Sequence, residues 1–193
     1  NDRIETLVDL ADRDPTYRTL FDMPFAYYHV WANCFTPSTG WTVPGFSDHD
    51  AKAEYDELRG LAEHLLRTYS GTGKTFYLGH WEGDWLLLQR NFDLEAEPTD
   101  EAIRLMIDGL NLRQKAVDDA KAAVTHSDVE VYNYTEVNQV QKSLRGKKSL
   151  AMNVLPEVDV DFVSYSAYDS TNRVLESPDE MTRALHEALR SEE

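Results

Sequence analysis

Residues 75–81 read TFYLGHW, and the chain then continues with Glu82, Gly83, Asp84 and Trp85. Aromatic and aliphatic residues dominate the run, which is typical of a buried β-strand. Two tryptophans and two carboxylates lie within residues 81–85, directly at its carboxyl end. A carboxylate beside indole rings loses water, and this raises its pKa toward the range that a general acid needs. The alternative is structural, with one tryptophan in the core and the two carboxylates as turn residues around Gly83.

Three further runs have the same strand-like composition: Phe25 to Ala32 (FAYYHVWA), Val129 to Thr135 (VEVYNYT) and Val160 to Ala167 (VDFVSYSA). Helical periodicity separates the runs, from Ser47 to Tyr69 and from Thr99 to Val124, with Ser47 and Thr99 as the expected N-caps. Shorter helical patterns cover Ile4 to Ala11 with Pro15 to Phe21, Asn138 to Leu144, a turn at Leu150 to Leu155, and a last helix from Ser177 to Leu189. Strands that alternate with helices predict an α/β fold whose parallel strands are joined by crossovers.

The composition is that of a globular protein with an acidic surface. The 193 residues include 35 Asp and Glu against 19 Lys and Arg, a net charge of −16. Because phosphates must be neutralised by Lys and Arg, we expect no nucleic-acid partner, and for the same reason no anionic membrane partner. Cys34 is the single cysteine, which excludes an internal disulfide and CxxC motifs. A cytoplasmic location and a secreted or periplasmic location both fit.

The histidines have no metal-binding spacing. Neither HxH nor HExxH occurs in the sequence. His80, two positions before Glu82, is the histidine closest to the candidate carboxylates, and a hydrogen-bonding role in the core suits it. We therefore expect no metal and no cofactor.

Polar and aromatic residues collect where the four predicted strands end. In folds of alternating strands and helices that close into a barrel, the active site lies at these carboxyl ends. All four tryptophans fall at or just past the ends of the first two strands, and none lies in a helical stripe. Glu82 and Glu136 occupy equivalent positions after two of the strands, which makes them the catalytic candidates, with Asp84 and Asp169 as secondary ones. The pattern favours a binding cleft.

Three strand-end runs, LGHWEGDW (78–85), YNYTEVN (132–138) and VDFVSYSAYDS (160–170), resemble those of clan-A glycoside hydrolases, which have a (β/α)8 barrel. In that clan a Glu ending the fourth strand is the acid/base, often preceded by Asn, and a Glu ending the seventh is the nucleophile. Residues 161–162 (Asp-Phe) and Tyr168 fit the sixth strand. The resemblance then implies Glu82 as the acid/base and Glu136 as a substrate-binding residue ending the fifth strand. Trp81 stands where the clan often has Asn, and in an alternative register Glu136 ends the fourth strand.

The resemblance implies a carbohydrate partner and hydrolysis of a poly- or oligosaccharide by carboxylates. The expected substrate-binding residues are the aromatic and polar side chains at the strand ends: Trp31, Asn33, Trp41, Trp81, Asp84, Trp85, Asn138, Tyr165 and Tyr168. Trp41, Trp81 and Trp85 are expected to stack on sugar rings. Alternatives are a non-catalytic carbohydrate-binding or scaffold protein on the same fold, or a barrel enzyme of another class such as a lyase.

The number of strands sets the expected extent of the barrel. A complete (β/α)8 barrel takes about 250 residues, whereas the sequence predicts about four βα units. We therefore expect residues 1–193 to form a single TIM-barrel-type domain or a fragment of one. The remainder of the barrel is then an expected partner, since four parallel strands alone leave open edges.

Overall fold

Four parallel strands form one sheet in the computed structural model, which describes residues 4–35, 41 and 44–171. The strands are β1 (Tyr27–Trp31), β2 (Lys74–Gly79), β3 (Val129–Val137) and β4 (Phe162–Tyr165). Their order across the sheet is the order along the chain, with Tyr27 opposite Thr75, Lys74 opposite Val129 and Tyr134 opposite Phe162. The predicted α/β class with four parallel strands is confirmed.

Helices fill the segments between the strands. They are α1 (Leu7–Arg13), α2 (Pro15–Asp22), α3 (Asp48–Thr68), α4 (Gly83–Leu87), α5 (Asp100–Ala123), α6 (Val140–Leu144), α7 (Leu150–Asn153), a 3₁₀ turn (Leu155–Glu157) and α8 (Tyr168–Thr171). Ser47 and Thr99 cap α3 and α5 as predicted, each accepting a backbone N–H through its hydroxyl. The helix predicted over Ser177 to Leu189 lies outside the described residues.

The segment before β1 forms two helices, α1 and α2, whereas the sequence pattern predicted a single helix there. Asp14 separates them, and its side chain accepts the N–H groups of Thr16 and Tyr17. Pro15 occupies the first position of α2, where its missing N–H costs nothing. The cap and the proline together end α1 and begin a new helix.

The two long crossover helices pack on one face of the sheet. Phe76 and Leu78 of β2, with Val131 of β3, are completely buried against α3 and α5. Because each right-handed crossover leads to the next strand in the same direction, the connecting helices arrive on the same side. In the described part of the chain, none of the helices is long and apolar enough to cross a membrane.

The opposite side of the sheet, the aromatic face, carries Tyr27, His29, Trp31, Tyr77, Tyr132, Tyr134 and Phe162. Phe162 packs edge-on against Tyr77 and Tyr132, with ring centroids 5.2 and 5.1 Å apart. Tyr134 lies across β2 at Gly79, where a Cβ would stand 2.3 Å from its ring atoms. The Tyr134 hydroxyl thereby comes within 3.3 Å of His29 Nδ1 on β1. Glycine at position 79 is what permits this contact across three strands.

A buried arginine ties the helices to the carboxyl ends of β1 and β2. Arg113 of α5 pairs with Glu54 of α3, with 2.5 Å between guanidinium and carboxylate. The same guanidinium donates to the carbonyl oxygens of Ala32 and Gly79, at 3.0 and 3.3 Å. Since both carbonyls lie at strand ends, this ion pair fixes the edge of the sheet from which the candidate site is built.

Candidate functional site

Glu82 and Glu136, the two predicted catalytic residues, come together at the carboxyl edge of the sheet. Glu82 follows β2, and Glu136 lies near the end of β3. The backbone N–H of Glu82 donates to Glu136 Oε2 at 3.2 Å. The Ser166 hydroxyl, just after β4, donates to Glu136 Oε1. The loops after β2 and β4 thus converge on one buried carboxylate.

The environment of Glu82 favours its protonated form. Partial burial raises the pKa of Glu82, and the negative charge of Glu136 raises it further, while a hydrogen bond from the Trp85 side chain opposes both. Desolvation and a neighbouring like charge both stabilise the protonated form of a carboxyl group, which is the form that can donate a proton. Glu82 is therefore placed to donate a proton.

The backbone at Glu82 is held in an uncommon conformation. Its φ of 26° and ψ of 79° lie outside the regions that non-glycine residues usually adopt. Two contacts fix the Trp81–Glu82 peptide. The N–H is bound by Glu136, and the Trp81 carbonyl oxygen lies 3.3 Å from His80 Nδ1. A constrained backbone of this kind is often found at functional sites, and here it sets the position of the Glu82 side chain.

His80 is a buried, neutral support for that peptide. Burial and the positive charge of Arg113 lower the pKa of His80 to about 4. Its Nε2 lies 2.8 Å from the hydroxyl of Thr135 on β3. In the neutral ring one nitrogen donates and the other accepts. A proton on Nδ1 satisfies the Trp81 carbonyl, and Nε2 then accepts from Thr135.

Asp84 and Asn138, both expected to bind substrate, join the loops that follow β2 and β3, and Asn138 also lines a cavity described below. Asp84 Oδ2 accepts the N–H groups of Asn138 and Gln139, at 2.9 and 3.1 Å, and Oδ1 accepts that of Leu150 at 2.8 Å. In return, the Asp84 N–H donates to Asn138 Oδ1 at 3.0 Å. Burial raises the pKa of Asp84, and these three N–H groups act in the opposite direction. The Asp84 carboxylate is thus used by backbone groups.

Two cavities flank the pair of glutamates. The first cavity, of about 390 Å³, is lined by Glu82, Trp85, Leu94, Asn138, Gln139, Gln141, Lys142, Arg145, Tyr168 and Asp169. The second cavity, of about 580 Å³, is lined by Tyr17, Leu20, Phe21, His29, Val30, Trp31 and Glu136. Glu82 faces one and Glu136 the other. A ligand in either cavity therefore meets one of the two carboxylates.

The tryptophans divide between wall and core. Trp31 is 54% exposed at the end of β1, beside the second cavity. Trp85 lines the first cavity, and Trp81, half-buried, precedes Glu82. Trp41 differs from the expected stacking platform, since it is 6% exposed and packs against His80 with ring centroids 5.3 Å apart. Its ring is covered by core side chains.

The remaining predicted residues lie around the first cavity, with one exception. Tyr168 is 62% exposed and lines it. The Tyr165 hydroxyl donates to Asp169 Oδ1 at 2.7 Å, and the Gln141 N–H donates to Asp169 Oδ2 at the same distance. Tyr165 therefore supports a wall residue. Asn33 is exposed and belongs to neither cavity lining.

The sequence interpretation missed the cationic side of the first cavity. Lys142 and Arg145 belong to the stretch KSLRGKK (142–148), which holds four of the 19 basic residues of the chain. This concentration of basic residues in an acidic protein is the sequence feature that could have indicated the cationic side of the cavity. Its partners come from residues 95–100, where Glu95 binds Lys147 and Asp100 binds Lys148. His29, beside the second cavity, was also missed, because its neighbours come from other strands.

The chain has no detected similarity to known proteins that could inform the site. Comparisons with protein-family models, with curated proteins and with solved structures find no match. Within the described ranges, no group of three or more His, Cys, Asp and Glu side chains is placed to hold a metal ion. The two carboxylates and their cavities are therefore the features of the molecule that bear on its function.

Proposed function

We propose that the chain forms part of a TIM-barrel-type glycoside hydrolase that acts on a poly- or oligosaccharide. The observation that carries the proposal is that Glu82 and Glu136 are neighbours at the carboxyl edge of a parallel sheet. The Glu82 backbone N–H donates to the Glu136 carboxylate, and burial together with the charge of Glu136 raises the pKa of Glu82. Glycosidases use a pair of carboxyl groups, one of which must be protonated to donate to the glycosidic oxygen.

The sheet order supports the barrel part of the proposal. Four strands in sequential order, with both long crossover helices on one face, match the repeating unit of a (β/α) barrel. The aromatic face would then be the barrel interior. Its exposed side chains, Tyr27 and Trp31 among them, would be covered by the remainder of the barrel.

The two glutamates take different roles. Glu82, with its raised pKa, donates the proton to the leaving oxygen. Glu136, oriented by the Ser166 hydroxyl and the Glu82 N–H, keeps that pKa high through its negative charge. Trp31, Trp85 and Tyr168 offer aromatic faces on the cavity walls.

Hydrolysis of a panel of glycosides by the full chain tests the proposal. We expect Glu82→Gln and Glu136→Gln each to lower kcat/KM by roughly 10²–10⁴-fold, the usual contribution of a general acid or base. Glu101→Gln, at an exposed position in the first turn of α5, is the matched control and should leave the rate unchanged. Unchanged hydrolysis in both site variants contradicts the assignment. Sugar binding without any hydrolysis would favour the non-catalytic alternative.

A further inference from the structure

One side chain in the lining of the first cavity, Gln139, carries a hydrogen-bond donor that no described protein group uses. Gln139 is 3% exposed, and its Oε1 accepts from Lys142 Nζ at 3.1 Å. Because an ammonium only donates, this contact fixes the orientation of the amide. Gln139 Nε2 is then a buried donor with no hydrogen-bond partner in the part of the chain that the structure describes. A buried donor of this kind is costly unless a ligand satisfies it.

Two cations, Lys142 and Arg145, line the same cavity. Lys142 is 2% exposed, and besides Gln139 its Nζ donates to the Ala96 carbonyl oxygen. An ammonium group has a third N–H to offer. Arg145 lies at the rim with 40% of its side chain exposed and its guanidinium 3.6 Å from Glu95. Burial lowers the pKa of Lys142, and the charges of Asp84, Glu97 and Glu95 counter that effect.

Two carboxyl groups in the lining of the first cavity, Asp169 and Glu82, already accept hydrogen bonds from the protein. Asp169 takes the Gln141 N–H and the Tyr165 O–H, one on each carboxylate oxygen. Glu82 receives the hydrogen bond from the Trp85 side chain. The amide donor of Gln139 and the two cations remain for a ligand, and an anionic acceptor matches this combination better than a hydroxyl.

We propose that the first cavity binds the carboxylate of a hexuronate residue. Gln139 Nε2, Lys142 Nζ and Arg145 would hold the carboxylate, while Trp85 and Tyr168 flank the sugar ring. The volume of about 390 Å³ lies within the usual range for small-molecule sites, roughly 300–1,000 Å³. The inference rests on the proposed function and narrows its substrate class to acidic sugars.

Binding of matched glycosides tests this without requiring turnover. The probes are methyl β-D-glucuronide and methyl β-D-galacturonide, each compared with the neutral methyl hexoside by isothermal titration calorimetry on the full chain. We expect at least one uronide to bind about tenfold or more tightly than its neutral counterpart, since charge-assisted hydrogen bonds are about twice as strong as neutral ones. The preference should weaken as salt is added.

Gln139→Glu is the decisive variant, because it keeps an oxygen for Lys142 but replaces the free donor with a negative charge. It should abolish the preference, whereas Gln89→Glu, with the same charge change at an exposed position, should keep it. If Gln139→Glu does not fold, Arg145→Gln at the rim should reduce the preference severalfold. Equal affinity for acidic and neutral glycosides, no binding of any of them, or a preference that survives both cavity variants overturns the inference.

The experiments can reject the hydrolase proposal without rejecting the acidic-sugar site, and the reverse. A preference for uronides that depends on Gln139, without hydrolysis of any glycoside, retains the acidic-sugar site and rejects the hydrolase. Hydrolysis that depends on Glu82 but treats uronides and neutral glycosides alike retains the hydrolase and rejects the acidic-sugar site.

Discussion

Substitution of Asp84 tests whether this residue holds the loops together or binds a ligand. Its carboxylate accepts three backbone N–H groups, from Asn138, Gln139 and Leu150. Asp84→Ala removes both acceptor oxygens, and with them all three hydrogen bonds, and leaves the N–H groups buried. Asp84→Asn retains one oxygen, which can keep the two N–H groups bound by Oδ2, and it turns an amide donor toward Leu150.

The expected losses follow from the number of hydrogen bonds removed. Hydrogen bonds to a charged group contribute about 1.5–3 kcal/mol each, so three amount to roughly 5–9 kcal/mol before any offset. Burial of the carboxylate, which also raises the pKa of Asp84, offsets part of this sum. We therefore expect Asp84→Ala to lower the free energy of unfolding by about 3–5 kcal/mol, and Asp84→Asn by about 1–3 kcal/mol.

Urea unfolding followed by far-UV circular dichroism measures these losses, and amide hydrogen exchange locates them. The three N–H groups should exchange faster in both variants. Asp93→Asn is the control, since Asp93 is exposed and its side chain accepts the N–H of Glu95, two positions away, at 3.0 Å. Asp84→Ala within 1 kcal/mol of the unsubstituted protein, or unchanged exchange at the three amides, would refute the reasoning. Lost glycoside binding at unchanged stability would instead restore Asp84 as a substrate-binding residue.

Three further substitutions test the supports of the site. The pKa of His80 is about 4 in the folded chain against 6.5 for the free side chain, so the unfolded chain binds more protons between these pH values. The free energy of unfolding should therefore fall by about 3 kcal/mol as the pH drops from 6.5 to 4. Urea titrations at both pH values should show that His80→Gln removes this pH-dependent loss of stability. Arg113→Met should cost about 3–5 kcal/mol in urea unfolding because Glu54 is left buried and unpaired, whereas a loss below 1 kcal/mol would contradict the buried pair. Gly79→Ala should lower the free energy of unfolding by about 1–3 kcal/mol, because the added Cβ clashes with the Tyr134 ring. In a Tyr134→Ala background the same substitution should be nearly neutral, and an equal loss in both backgrounds would rule out the clash.

Local sequence signals predicted the elements of the fold well, because the forces that form them are local. The aromatic and β-branched runs located all four strands, and the Ser47 and Thr99 hydroxyls located two helix starts. The parallel arrangement followed from the alternation of strands and helices.

The roles of single side chains were harder to predict, because distant partners decide them. Asp84 finds its three donors 54–66 positions further along the chain, and Trp41 becomes core only because His80 and α5 pack against it. From the sequence, both look the same as residues that line a cleft. The proximity of Glu82 and Glu136 could be predicted, because equivalent positions on neighbouring parallel strands meet at one edge of the sheet.

The central claim is that Glu82 and Glu136 form an electrostatically coupled pair, and a titration of Glu82 tests it most directly. Side-chain carboxyl ¹³C shifts, followed against pH by NMR, report the pKa of Glu82 in the unsubstituted chain and in Glu136→Gln. We predict a pKa above the ordinary glutamate value in the former and a lower one in the variant, because burial persists while the charge of Glu136 is removed. An ordinary pKa in the unsubstituted chain, or a pKa that Glu136→Gln leaves unchanged, would contradict the account.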